Sequence, residues 1–216
     1  MSQAKPTRSP TKRKRTPLTV ERIEVEALAL IDEDGIDAFS TRKLGERLGC
    51  EAMSIYHHFP SKAHILDALV DRVLGGMPIP DKTLTPAERL RAFADGWRKV
   101  SLQHPRFYLW VTLHRWNSAT GTHFLNEMLA CFYDAGLSPE LATRGFRILG
   151  YYVQGATLDE SSGYAKGPSS LEPVSQEVLE RDYPRVADAN KLSVPKHFNK
   201  TFELGFGALL RELGLE

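Results

Sequence analysis

The stretch STRKLGERLGCEAMSIYHHF, residues 40–59, decides how this chain folds. Ser40 stands where a helix N-cap belongs, and Leu44 and Leu48 follow one turn apart on a single face. Gly49 ends that short helix. A second short helix is expected from Ala52 to His58, stopped by Pro60, with Ile55 and Phe59 one turn apart and turned inward. Two short helices across a glycine turn make a helix-turn-helix, a motif that inserts the N-terminal side chains of its second helix into the major groove of DNA. Insertion needs small or polar outward residues. Ala52, Met53, Ser54, His57 and His58 meet that need, at the face or its rim. Thr41, at a helix start, can offer its hydroxyl and amide to a phosphate, and Lys62 at the next helix start can neutralise another. His57 and His58 are neighbours in sequence, do not share a helix face and make a poor chelating pair.

Helical spacing continues on both sides. Upstream, Thr19 caps a helix with Ile23, Ala27, Leu30 and Ile31 on its face, ended at Gly35. Downstream, Ser61 caps a helix whose Ile65, Leu66, Leu69, Val70, Val73 and Leu74 are apolar, closed by Gly75 and Gly76. Met77 to Leu84 reads as a loop. Thr85-Pro86-Ala87-Glu88 is a capping box with proline at the first helical position, opening a helix to about Gln103. Further helices are expected from Pro105 to His114, Ala119 to Ala135, Ser138 to Glu160, Glu172 to Asn190 with a kink or break at Pro184, and from Pro195 onward. Ser161 to Ser170, rich in glycine and serine, reads as a mobile loop. With no strand pattern and no repeat, the fold class is all-α, with about nine or ten helices. The domain reading is a flexible basic arm over 1–17, a helix-turn-helix domain over 18–76 and a larger helical domain over 77–216.

Composition narrows the class. Apolar residues make up 42% and charged ones 25%, ordinary for a globular chain, so a core can form without staples. Net charge is only +1 and does not by itself announce a nucleic-acid partner. The distribution does more: Lys5, Arg8, Lys12, Arg13, Lys14 and Arg15 precede the first acid, Glu21. This arm is either a solvated tail or a strand that tracks phosphate or a minor groove. Cys50 and Cys131 lie far apart without a CxxC pair, which speaks against zinc knuckles and redox motifs and fits a reducing cytoplasm. Cys50 reads as a turn filler. The basic start lacks a following apolar region, and no apolar run is long enough to cross a bilayer, so no membrane partner is expected. No metal and no cofactor is expected.

The segment ERLGCEAMSIYHHFPSK with Leu66-Asp67-Ala68-Leu69 resembles the DNA-binding domain of TetR-type repressors. The resemblance covers about Leu18 to Leu74 and rests on Leu48, Gly49, Tyr56, Phe59, Lys62 and Leu66 together. Thr41-Arg42-Lys43-Leu44 and the Leu-Asp-Ala-Leu run look most like the tetracycline repressor branch. The resemblance implies a homodimer on palindromic double-stranded operator DNA, its recognition helices about one DNA turn apart. It implies phosphate contacts from Thr41, Tyr56 and Lys62. Arg42, Lys43, Ala52, Met53, Ser54, His57 and His58 would approach bases or nearby backbone.

The second half resembles that branch's regulatory core more loosely, through Ser138-Pro139-Glu140 and the Gly-Tyr-Tyr-Val-Gln-Gly run at Gly150. A repressor of this kind needs a cavity whose small-molecule effector prefers the DNA-incompetent state. Candidate lining residues are Trp97, His104, Phe107, Trp110, His114, Trp116, Phe124, Met128, Tyr151, Tyr152 and Gln154, aromatic walls with a few polar groups. His104 is the favoured polar anchor, because the tetracycline repressor carries a functional histidine there. Gly75 and Gly76 replace the histidine of that branch, so neither tetracycline nor a metal is inferred. Gly150, Gly155, Gly205 and Gly207, with Phe198, Phe202, Phe206 and Leu209, are candidates for the dimer interface. The chain therefore reads as a DNA-binding repressor relieved by a ligand, not an enzyme. Two other readings stay open: a regulator controlled by a protein partner or acting as an activator, and an all-α enzyme or carrier, for which no nucleophile–base pair or phosphate loop is visible. Operator, effector and regulated genes are not legible.

Overall fold

A computed structural model describes residues 17–162 and 172–216. The basic arm, Pro17 aside, and all but Ser161 and Ser162 of the expected loop lie outside the described residues. Eleven α-helices and one 3-10 turn are present among the described residues, with no strand.

Four helices form the N-terminal helix-turn-helix domain: α1 (Val20–Asp34), α2 (Thr41–Leu48), α3 (Ala52–Tyr56) and α4 (Lys62–Gly75). The caps are those expected. Thr19, Ser40 and Ser61 accept backbone N–H bonds from Arg22, Lys43 and His64, satisfying donors that a helix start leaves unpaired. Gly35 takes φ +87° and Gly49 φ +69°, conformations that side chains with a Cβ resist. Ile23, Ile31, Leu44, Ile55, Ile65 and Leu69 are wholly buried between these helices, each burial worth about 1.5–3 kcal/mol. The third helix ends at Tyr56 rather than His58, because His58 and Phe59 both donate to the Ile55 carbonyl in a closing turn.

The larger helical domain comprises α5 (Pro86–Gln103), α6 (Tyr108–His114), the 3-10 turn Arg115–Asn117, α7 (Ala119–Asp134), α8 (Pro139–Ser162), α9 (Gln176–Asp182), α10 (Pro184–Leu192) and α11 (Pro195–Glu212). The capping box is complete: the Glu88 N–H donates to Thr85, and the Thr85 N–H donates to Glu88 at 2.8 Å. That backbone bond lowers the Glu88 pKa below its ordinary value. Helices α5, α7 and α8 pack against one another, α11 packs on α8, and α4 of the first domain packs on α6, the 3-10 turn and α7. Arg98 of α5 joins Glu160 of α8 and Asn199 of α11 with bonds of about 3.0 Å, and its guanidinium lies 4.1 Å from the Phe202 ring.

Three expectations need correction. Of the helix expected over Glu172–Asn190 with a kink or break at Pro184, residues 172–175 lie outside any helix, and the rest is broken at Pro184 into two. Tyr183 leaves helical backbone at φ −133°, ψ 55°, and Pro184, lacking an N–H, starts α10 instead of continuing α9. The sixth helix begins at Tyr108, not Pro105. Several of the residues expected at a dimer interface pack inside the subunit. Phe202 and Phe206 are buried, and a Cβ on Gly205 would overlap the Tyr152 ring. The apolar side chains left exposed along α8 are Leu141, Ile148, Tyr151 and Leu158, one helical stripe, with Leu204 on α11.

Cys131 is wholly buried, and burial pushes its thiol up to about 11. Only about a thousandth of it is thiolate at pH 8, and the thiolate is the nucleophile. Iodoacetamide at pH 8 is therefore expected to leave Cys131 unmodified in the folded protein and to label it in urea, read by mass spectrometry. Labelling at equal rates in both states would contradict this packing.

Candidate nucleic-acid interface and ligand cavity

The two short helices are held by backbone contacts in the turn. The Gly49 N–H donates to Glu46, and the Cys50 N–H donates to the Gly45 carbonyl at 2.9 Å. A Cβ on Gly45 would stand 2.8 Å from the Cys50 carbonyl oxygen and 3.3 Å from the Ala52 nitrogen. The chain thus passes over Gly45 at a distance that only glycine allows. The Arg22 guanidinium reaches the Leu48 carbonyl at 3.3 Å and stitches the turn to α1.

Around this frame the expected DNA-contact residues gather at the surface. The Thr41 and Tyr56 hydroxyls share a hydrogen bond of 3.0 Å, tying the start of α2 to the end of α3. Lys62 donates to the Phe39 carbonyl at 2.8 Å and lies 5.4 Å from that ring, beside the same helix start. Met53 is 64% exposed, a large apolar side chain left in water at the front of α3. Ala52 and Ser54 are half-buried, while His57 and His58 are exposed. Arg42 pairs with Glu46 at 3.1 Å and Lys43 with Asp34 at 3.0 Å. Exposed pairs of this kind are worth about 0–1 kcal/mol, so a phosphate can displace either carboxylate at small cost. No group of three potential metal ligands exists among the described residues.

The end of α1 ties this unit to the larger domain. His104 Nδ1 is 2.8 Å from Asp32 Oδ2, and Arg106 donates to the Glu33 carbonyl. From the other side, Arg47 of α2 binds Glu33 through both terminal nitrogens and Glu26 through Nε. The hydrogen bond from Arg47 lowers the Glu33 pKa, and Glu33 and Glu26 raise that of Arg47.

A cavity of about 440 Å³ lies between α5, α7 and α8, inside the range of small-molecule sites. Six of the expected residues line it: Trp97, Trp116, Phe124, Met128, Tyr151 and Gln154. Trp97 is oriented by donating to the Tyr108 hydroxyl at 2.9 Å, which bonds Thr157 in turn. Five expected residues lie elsewhere. His104 serves the Asp32 contact, and Phe107 is buried core. Trp110 stacks on His114 at 4.1 Å, on the helix that packs against α4. Tyr152 packs on Phe202 and donates to its carbonyl at 3.0 Å, and burial raises its pKa. Sequence reading missed Phe93, Phe132, Phe146, Arg115 and Arg147 in the wall. Phe146 shares its α8 face with Gly150 and Val153, a spacing that could have found it. Arg115 sits on the 3-10 turn, where helical periodicity gives no signal.

Comparison with known proteins agrees with this architecture. The family model described as bacterial regulatory proteins, tetR family, matches residues 23–69, and the tetracyclin repressor-like C-terminal domain matches residues 79–215. A transcriptional regulator of the helix-turn-helix type from Saccharopolyspora erythraea is 38% identical over 44% of this chain and 42% of its own length. The class A tetracycline repressor protein of Escherichia coli is 30% identical over 63% of this chain and 64% of its own. Both alignments thus span less than two thirds of these relatives. The apo structure of ActR from Streptomyces coelicolor is 26% identical, with a TM-score of 0.69, over 92% of this chain and 95% of that one. With both family models matching across the two helical domains, the chain belongs to the TetR family of bacterial regulatory proteins.

Proposed function

We propose that the chain is a transcriptional repressor that leaves its operator when a small molecule enters the cavity. In this reading residues 18–76 form the DNA-binding domain and residues 77–216 the sensing and dimerising domain. The carrying observation is the joint presence of an exposed helix-turn-helix face and an aromatic cavity whose wall includes the 3-10 turn packed on α4. Thr41, Tyr56 and Lys62 position phosphates; Arg42, Lys43, Ala52, Met53, Ser54, His57 and His58 approach the groove. The exposed stripe of α8 with Leu204 supplies an isologous dimer contact, which matches a palindromic operator. A cytoplasmic setting belongs to this reading. Similarity to ActR, which has been crystallised with actinorhodin, supports a sensing cavity without naming its occupant here.

The test selects bound fragments from the source genome and then screens compounds for release of the recovered site, followed by fluorescence anisotropy. The expected result is a two-fold symmetric site with half-sites about one DNA turn apart, and at least one compound class that releases it. Binding that no compound reverses would remove the ligand-relieved part of the reading. Binding without sequence preference would remove the repressor itself.

A further inference from the structure

The cavity wall is unbalanced in charge. Arg115 and Arg147 reach it, and no Asp or Glu does. Arg147 sits at an exposed position and bonds the Tyr151 hydroxyl at 2.8 Å. Arg115 is more withdrawn. It donates to the Thr112 carbonyl, and its guanidinium stands 6.0 Å from the Trp97 ring and 5.6 Å from the Trp116 ring. Among the described residues no carboxylate pairs with it, and the remaining residues, 1–16 and 163–171, contain neither Asp nor Glu. The two buried arginines differ: Arg89 has Asp134, and Arg98 has Glu160.

A guanidinium keeps its charge at any physiological pH. Half-withdrawn from water without a counter-ion, it costs stability that a bound anion would restore in part. Burial already holds the Arg115 pKa below its ordinary value, the direction expected for a cation short of partners. The space beside it is bounded by aromatic rings, with Trp116 and Phe146 edge to face at 6.0 Å. One half-buried, unpaired cation among flat apolar walls suits a ring system with a single acidic group better than a bare inorganic ion.

We propose that the effector is an amphipathic aromatic acid whose anionic group pairs with Arg115 and whose rings lie among Trp97, Trp116 and Phe146. This rests on the reading of the cavity as the effector site. The position of Arg115 gives the pairing a consequence. Its carbonyl lies against Gly121, which adjoins Leu74 of α4, and the turn itself packs on α4, so an anion drawn to Arg115 loads the turn that touches the DNA-binding domain.

Two fluorescent probes separate charge from shape: anilinonaphthalene sulfonate, and the uncharged phenylnaphthylamine with the same rings. Each is titrated into the full chain, Arg115→Met, Arg115→Lys and Gly150→Leu. The leucine is a check on location, since Gly150 lines the cavity and a Cβ there meets only the Gln154 side-chain nitrogen at 3.9 Å, so a larger side chain can start from it and take up cavity space. The sulfonate is expected to bind more tightly than the amine. Arg115→Met should weaken the sulfonate about tenfold or more while moving the amine less than about twofold, as loss of one charge-assisted contact implies. Arg115→Lys, which keeps the charge, should retain sulfonate binding within about threefold. Gly150→Leu should expel both probes. Equal sulfonate affinity in the wild type and Arg115→Met, or an amine that binds as tightly as the sulfonate, overturns the anion assignment and leaves the effector cavity standing. Failure of both probes to bind the wild type, or their unchanged binding to Gly150→Leu, overturns the assignment and removes the cavity as well.

Discussion

Gly45→Ala is expected to reduce operator affinity to the level of non-specific DNA, a loss of about 10³-fold or more, while the larger domain stays folded. Two effects oppose each other at this position. Alanine favours helix by about 0.8–1.0 kcal/mol over glycine, and Gly45 lies in the interior of α2. Against that, the new Cβ would sit 2.8 Å from the Cys50 carbonyl and 3.3 Å from the Ala52 nitrogen. Both neighbours are backbone, so neither can swing aside as a side chain would. Relief requires moving α3 against α2, at about 1–3 kcal/mol. The energetic penalty alone is modest. The geometric penalty is severe, because the groove-facing residues all depend on the angle between these helices. Anisotropy on the recovered operator reads the effect, with probe binding in the cavity as the check on the larger domain. Retention of operator affinity within a few-fold would show that the turn is not the determinant.

Gly121→Ala is expected to have the largest effect on stability. Gly121 lies in the first turn of α7, where a Cβ would fall on the Arg115 carbonyl oxygen and lie 3.1 Å from Leu74 Cδ1. The helix-propensity gain is again about 1 kcal/mol, too small to offset an overlap with backbone on one side and a buried leucine on the other. A cost of about 3 kcal/mol corresponds to a fall in Tm of about 6–12 °C for a chain of this size. Thermal unfolding followed by circular dichroism measures it. The contact lies where the 3-10 turn, α7 and α4 meet, so the substituted protein should also show a weaker response of DNA binding to the effector. An unchanged Tm would mean that the turn accommodates a side chain without cost.

The contrast between these two glycines shows which parts of the fold sequence can carry. The helix-turn-helix was legible because short-range rules agree there: three hydroxyl caps, a left-handed Gly49 and apolar residues one turn apart all specify the same backbone. Gly45 carries no such local signal, since its need arises from a chain segment five residues later. The cavity was half legible. Trp97, Phe124, Met128 and Gln154 sit on long helices whose periodicity marks an inner face. The stretch from His104 to His114 carries similar residues but turns them away, because α6 packs on α4 and not on the α5–α7–α8 interior. Phe202 and Phe206 have the spacing of an interface stripe and of a core stripe alike; only the position of Tyr152 and Arg98 beside them decides between the two.

The last turn of α1 has a mechanical meaning. Asp32, Glu33 and Asp34 are held from below by His104 and Arg106 and from above by Arg47 and Lys43. One helix end is therefore a shared hinge pin: the helix-turn-helix domain and the larger domain grip it by neighbouring residues. The grips are partly exposed ion pairs and hydrogen bonds, individually weak because water competes for each partner. A tenfold shift in an equilibrium needs about 1.4 kcal/mol. If the chain works as proposed, contacts this weak are ones that the binding energy of one small molecule can exchange.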